Sequence, residues 1–159
     1  MTLKIALVAV SSFIAGIVLA GLAMVWLAPS LMMVENPSRL AYEETVQAII
    51  AQAEALDWKV PAVHRLDKSM EKAGHQVLPA AVIELCRPDY AARLLQEDDT
   101  RVVASLMPCR VAVYQKSDGR VIVSRMNTTL MSKLFGGLVT QVMAAASADS
   151  EQIVGAVIH

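Results

Sequence analysis

The side chains best suited to chemistry in this sequence are two cysteines, three histidines and a methionine next to one of the cysteines. Met107 and Cys109 are two residues apart, so in a strand they share one face. Cys86 ends another β-rich segment, and His64 and His75 lie near the ends of neighbouring segments. Sulfur and imidazole groups are the side chains that ligate haem iron. These five residues therefore predict a cofactor pocket, and the absence of C-x-x-C-H restricts it to non-covalent b-type haem.

The same two cysteines also support a second interpretation, in which they form a disulfide. In an oxidising compartment an even pair of thiols tends to be bridged. Cys86 is predicted at the end of one strand and Cys109 near the start of another, so a bridge within one chain or between two chains would satisfy the sequence. In this interpretation the protein is a non-catalytic binding or assembly domain whose cysteines form a structural disulfide.

Familiar enzyme signatures are absent from the sequence. It contains no Gly-rich phosphate loop, no H-E-x-x-H, no G-x-S-x-G and no C-x-x-C. Two cysteines without a spacing motif do not make a zinc site. We therefore expect no catalytic residues and no metal site. The leading interpretation is a redox module that exchanges electrons with a partner protein, through haem or through the thiol pair.

The first part of the chain has the composition of a membrane anchor. No charged side chain occurs between Lys4 and Glu35, and residues 5–27 are all apolar or small. As a helix this run would extend roughly 34 Å, more than the hydrocarbon core of about 30 Å. It is longer than the apolar part of a cleaved signal peptide, and Trp26 stands where an interfacial aromatic would lie. Residues 1–28 are therefore predicted to be an uncleaved transmembrane helix in contact with the lipid bilayer.

The charges on either side of this helix predict its orientation. Lys4 precedes the helix, and no positive residue follows it until Arg39. The positive-inside rule then leaves the N-terminus in the cytoplasm and the domain in the periplasm or outside the cell. Lys4 is the only charge in the anchor, so of the 14 Lys and Arg all but one remain in the domain, facing 15 Asp and Glu. This near-neutral balance argues against nucleic acid as a partner.

The rest of the chain is predicted to form one α+β domain. Residues 29–37 are expected to be a linker or short first strand, residues 38–146 the globular domain, and residues 147–159 a final helical turn and tail. The periodicities give the order (β)-α-β-α-β-α-β-β-α, including a long strand over 101–116 and a long helix over 128–146. This order favours a two-layer sandwich with a mixed, mainly antiparallel sheet covered by helices.

Two glycine-containing segments carry more local predictions. Ser117-Asp118-Gly119 predicts a hairpin with a three-residue loop, and we expect it to place Val111 opposite Val123 and Val113 opposite Val121. Gly136-Gly137 lies inside the last helical pattern, where we expect it to allow close packing rather than to bind phosphate.

Four motifs between Glu35 and Met143 carry a family resemblance. They are Tyr42–Val46 (YEETV), Ala81–Pro88 (AVIELCRP), Met107–Tyr114 (MPCRVAVY) and Asp118–Ser124 (DGRVIVS). In order and spacing the chain resembles the family catalogued as domain of unknown function 302. The resemblance implies a compact two-layer α/β fold, often dimeric, so a homodimer is expected; it implies no established reaction. Cys86 and Cys109 depart from the plainer family pattern and resemble a cysteine-bearing branch, which suggests redox or haem association.

Overall fold

The N-terminal part of the chain is one long apolar helix. The computed structural model describes residues 2–158, with side chains from residue 7, and the chain divides into two compact units at Met32 and Met33. Helix α1 spans Thr2–Met32. Its Leu7–Met32 stretch has a mean hydropathy of 2.4, so by length and composition it could cross a membrane. The side chains of its most apolar part are not buried against the rest of the protein. The helix extends beyond the predicted anchor, 1–28, into the predicted linker, 29–37.

The second unit is built on a five-stranded sheet. The strands are β1 Met33–Pro37, β2 Val63–Arg65, β3 Ala80–Leu85, β4 Cys109–Gln115 and β5 Val121–Met126, and their spatial order is β1-β5-β4-β3-β2. Each neighbouring pair is antiparallel. The α+β class predicted from the sequence is confirmed, and the described pairings of the sheet are antiparallel rather than mixed.

Helices cover one face of this sheet. They are α2 Tyr42–Ala55, α3 Leu66–Lys72, α4 Pro88–Leu95, α5 Thr128–Ser132 and α6 Gly137–Gly155, with a short 3-10 helix at Arg101–Leu106. Successive strand residues point to opposite faces, so every second side chain of the central strands enters the core. The main core joins these positions to α2 and α6, and its fully buried members include Ile49, Ile83, Val113, Val123 and Ile153.

A buried arginine ties three elements together beside this core. Arg125 of β5 is only 6% exposed. Its Nε and Nη2 atoms donate to the two carboxylate oxygens of Glu151 in α6, at 2.7 and 2.5 Å, and its Nη1 donates to Asn36 Oδ1 in β1 at 2.8 Å. Such a fork-shaped pair fixes orientation as well as distance.

Two predicted elements were wrong in the part of the chain after α4. The long strand predicted over 101–116 begins only at Cys109, because its first residues form the 3-10 helix, where Val103 packs in a second apolar cluster with residues of α4 and α6. The long helix predicted over 128–146 is interrupted at Gly136, whose φ of +72° no right-handed helix can accommodate. Helix α6 then continues to Gly155, so the helical turn expected within 147–159 is the end of α6.

The hairpin has the predicted loop but a different register. Val113 lies opposite Val123, and Val111 lies opposite Arg125, two residues from the pairing we expected. A shift of two residues keeps each side chain on the same face of the sheet, so the core positions survive the error.

Candidate functional site

Antiparallel pairing brings the two cysteines to the same end of the sheet. Cys109 is the first residue of β4 and lies opposite Leu85, the last residue of β3. Cys86 follows at once and forms an isolated bridge with Lys59. A strand separation of about 4.8 Å and a rise of about 3.4 Å place the two cysteine Cα atoms about 6 Å apart, within the range that a disulfide spans. Both are free thiols here.

An apolar pocket of about 350 Å³ lies at this position. Both cysteines line it, together with the thioethers of Met107 and Met143. Helices α4 and α6 supply most of the remaining wall, including the deeply buried Leu94 and Val142. Four sulfur-bearing residues therefore border one small apolar volume.

Burial shapes the chemistry of one of these thiols. The pKa of Cys109 is raised above its usual value of 9.0, first because burial penalises the thiolate and second because Cys86 is close enough to repel it. Cys109 is therefore an uncharged thiol near neutral pH, and an uncharged thiol is a poor nucleophile.

A hydrogen-bonded cluster stands beside the pocket. Asp149 Oδ2 accepts hydrogen bonds from Arg87 Nη1 at 2.7 Å, the Tyr90 hydroxyl at 3.1 Å and Trp58 Nε1 at 3.2 Å. The Arg87 guanidinium also lies 5.0 Å from the centre of the Tyr90 ring, which meets the Trp58 ring edge to face. Because Arg87 and Tyr90 line the pocket, Asp149 fixes two of its wall residues.

The cluster around Asp149 changes the pKa of Tyr90. Its connection with the pocket was not predicted from the sequence. The pKa of Tyr90 is raised, first by burial and then by its hydrogen bond to Asp149. From the sequence, Asp149 had only the role of a cap for a final helical turn. No local signal connects it with residues 59 and 62 positions earlier, because the contact exists only once α6 packs against α4.

His64 and His75 are not among the residues that line the pocket. His75 borders a separate surface depression with Asp67 and Glu71, before β3 begins at Ala80. The six residues of β3 alone extend about 20 Å, so His75 and Cys86 are at opposite ends of this strand. The structure thus brings Met107, Cys109 and Cys86 together and separates His75 from them.

His64 is placed on the other face of the sheet. It lies opposite Val82 in the β2–β3 ladder, and its half-exposed ring has Nε2 3.2 Å from Glu84 Oε1. Arg110 reaches the same oxygen from β4 at 3.3 Å. Within residues 2–158 no three His, Cys, Asp or Glu side chains are grouped so as to hold a metal ion.

Comparison with known proteins identifies the family of the second unit. A family model described as "Domain of unknown function DUF302" matches residues 34–157, the whole of the second unit apart from its ends. The chain belongs to the DUF302 family. The family resemblance drawn from the four motifs is thereby confirmed.

A solved structure of the same family has the same fold. The crystal structure of an uncharacterized conserved DUF302 protein from Bacillus stearothermophilus superposes with a TM-score of 0.70 at 17% identity, covering 79% of this chain and 98% of that one. At this identity the likeness concerns the fold alone. No curated protein matches the chain.

Proposed function

We propose that this DUF302 protein is a membrane-anchored redox module whose two cysteines form a reversible dithiol–disulfide pair. The observation that carries the proposal is that Cys86 and Cys109, the only cysteines of the sequence, line one apolar pocket, Cys86 from just after the end of β3 and Cys109 from the start of β4. Two thiols that merely filled the core would not need to share a pocket that opens to solvent. The reaction is electron transfer, and no substrate other than the redox partner is transformed.

The environments of the two thiols assign their roles. In the oxidising direction for this protein, the Cys86 thiolate attacks a disulfide of the partner protein, forming a mixed disulfide and releasing one partner thiolate. The Cys109 thiolate then attacks the Cys86 sulfur, which closes the internal disulfide and releases the second partner thiol. Two protons and two electrons leave this chain, and the partner disulfide becomes a dithiol. The raised pKa of Cys109 suits the second, intramolecular step, where proximity compensates for weak nucleophilicity.

The proposed location is the extracytoplasmic face of a membrane. Helix α1 supplies the anchor, and Lys4 near its N-terminal end favours a cytoplasmic N-terminus with the domain in the periplasm or outside the cell. Disulfides form and persist in the oxidising environment of that compartment. Fusions of a reporter that is active only outside the cytoplasm, placed after residue 159, test this topology; activity from a cytoplasm-only reporter there contradicts it.

An equilibrium titration tests the redox assignment. The full chain in detergent micelles is incubated in a series of dithiothreitol ratios, quenched with acid and alkylated, and its adducts are counted by mass spectrometry. We expect zero and two adducts to interconvert reversibly, with no single-adduct species at equilibrium. Cys86→Ser and Cys109→Ser are matched controls that each retain one thiol throughout. A parent chain that keeps both thiols even in fully oxidising buffer contradicts the proposal.

Haem binding is a second candidate, favoured by one specific observation. Met107, Met143 and the two cysteines offer thioether and thiol ligands around the same apolar pocket. Cysteine and methionine are established axial ligands of haem iron, and an apolar wall would exclude water from it. A b-type haem bound here would be held by sulfur, since His64 and His75 lie elsewhere, and it would supply one-electron transfer.

Homodimerisation, implied by the family resemblance, stays a prediction that light scattering on the full chain can check.

A further inference from the structure

We infer that the end of the domain at which β1 begins rests on the lipid bilayer through a set of exposed apolar side chains. We call this set the apolar rim; its members are Met33, Leu106, Met126, Leu130, Leu134 and Phe135. The inference concerns an interaction surface and goes beyond electron exchange. It rests on the proposed membrane anchoring by α1 but not on the chemistry of the cysteines.

The members of the apolar rim are large and open to solvent. Leu134 is 77% exposed, Met33 48% and Phe135 46%, and the other three are near 40%. Isolated exposed apolar side chains are ordinary, but a continuous group of them marks an interaction surface. The decisive question is therefore whether these six residues are neighbours.

Strand pairing and a shared cleft show this for four of them, and position in the chain adds Leu130 and Leu134. Met33 lies directly opposite Met126 at the first position of the β1–β5 ladder. Met126, Leu106 and Phe135 border one narrow cleft below α5. Leu130 and Leu134 lie in and just after α5, the short helix that follows β5 and is capped by Asn127.

Chain connectivity identifies the lipid bilayer as the occupant. Helix α1 ends at Met32 and β1 begins at Met33, so no linker separates the apolar helix from the apolar rim. Consecutive Cα atoms are about 3.8 Å apart, which keeps the start of β1 beside the end of a membrane-spanning α1. The apolar rim therefore begins at Met33, one residue beyond the end of a membrane-spanning α1, and the lipid interface is the apolar environment nearest to it along the chain.

The charges near each end of the sheet fit this assignment. Lys133 is exposed next to Leu134 and Phe135, and such a neighbour can reach a lipid phosphate while the apolar side chains enter the interface. The opposite end of the sheet carries the β4–β5 hairpin, whose Asp118 and Arg120 pair with each other in solvent. The end with the apolar rim therefore suits the lipid interface, whereas the hairpin end suits water.

Quenching by brominated lipid tests the contact directly. The full chain with Trp26→Phe, which removes the tryptophan of α1, is reconstituted into phosphatidylcholine–phosphatidylglycerol vesicles with or without brominated acyl chains. Leu134→Trp introduces a probe in the apolar rim. Leu78→Trp is the matched control, because Leu78 is also exposed but lies just before β3, at the far end of the sheet. Emission from Trp58 in the Trp26→Phe parent is subtracted.

We expect the emission of the probe at 134 to fall about twofold in brominated vesicles, as for side chains inserted at the interface, while the probe at 78 stays unchanged. Equal emission changes at 134 and 78 overturn the inference. A probe at 134 that is shielded from both brominated lipid and aqueous iodide also overturns it, because a second copy or another protein then covers the apolar rim. Quenching of Trp26 in the unmodified chain reports anchoring separately, so a failed anchor is distinguishable from a failed contact.

Discussion

Cys86, which directly follows the last residue of β3, and Cys109, the first residue of β4, lie at the same end of the sheet and line the same pocket. Strict alternation along a regular strand would point the residue after Leu85 to the face opposite Cys109. β3, however, ends at Leu85, and Cys86 pairs only with Lys59 in an isolated bridge. The two thiols can therefore share a pocket because one of them stands just outside the regular ladder.

The two thiols should differ in their response to pH. Burial raises the pKa of Cys109 above its usual value of 9.0, so at a given pH less of it is thiolate than for an ordinary cysteine. We expect iodoacetamide to modify Cys109 slowly near neutral pH, in the Cys86→Ser variant, and faster as the pH rises beyond that value. Because the folded-state pKa is raised, the buried thiol favours the folded state at lower pH, and this contribution is lost as the pH rises through the folded-state pKa. A Cys109 rate equal to that of an unstructured peptide thiol would contradict this assignment.

The break between α5 and α6 predicts a position-specific effect of alanine. Gly136 has φ +72° and ψ −174°, a region that residues with a Cβ avoid, so Gly136→Ala should lower the free energy of unfolding by about 1–3 kcal/mol. Gly155→Ala is the control, because Gly155 ends α6 without a positive φ and its added Cβ would meet nothing within 4 Å. We expect that variant to be neutral or more stable by about 0.5 kcal/mol. Thermal denaturation of both variants checks the difference, and equal melting temperatures would argue for a continuous helix.

The sequence predicted the class of fold because its strongest signals are periodic. Alternation in β3 and β4 and helical spacing in α2 reflect burial directly, and the error of two residues in the hairpin register left the core intact. The 3-10 helix at Arg101–Leu106 was missed because β-branched Val102 and Val103 look like a strand, whereas packing of Val103 against α4 and α6 decides the conformation. Here tertiary contact overrides local propensity.

Prediction of the site was limited by distance along the chain. Cys86, Met107 and Cys109 could be grouped because they lie at the two ends of the segment that joins β3 to β4. Antiparallel pairing brings the end of one strand beside the start of the next. His75 is nearer to Cys86 in sequence than Cys109 is, yet the full length of β3 separates His75 from Cys86. Asp149 joins the site through helix packing alone, which no local pattern encodes.

The buried Arg125 should depend strongly on its carboxylate partner. Glu151→Ala leaves the buried guanidinium with Asn36 as its remaining described partner, and leaving a buried donor group without its acceptor costs about 1–3 kcal/mol. Glu43→Ala is a matched control, since Glu43 is an exposed carboxylate like Glu151 and also accepts two hydrogen bonds from an arginine, but that arginine, Arg65, is far less buried than Arg125. We expect the control to change stability by less than about 1 kcal/mol. Similar melting temperatures for the two variants would show that burial of Arg125 carries no energetic weight.

Any haem bound by this domain should depend on sulfur rather than imidazole. On titration of the full chain with haem, His75→Ala should leave the Soret band position and the stoichiometry unchanged, because His75 lies at the other end of β3 from the pocket. Met107→Ala or Cys109→Ala should shift the band or weaken binding, since both residues line the pocket. A loss of saturable binding in His75→Ala would contradict this assignment of the ligands.

The redox state of Cys86 and Cys109 in intact cells tests the central claim most directly. Cells are quenched with acid, the thiols of the full chain are alkylated with a mass tag, and tagged and untagged forms are counted before an oxidant pulse, after it and after recovery. We predict a shift from two tags to none on oxidation and a return to two tags on recovery, with Cys86→Ser and Cys109→Ser chains keeping one tag or forming mixed disulfides. A chain that stays fully oxidised throughout would instead carry a structural staple, and one that stays fully reduced would have no redox pair; either result contradicts the claim.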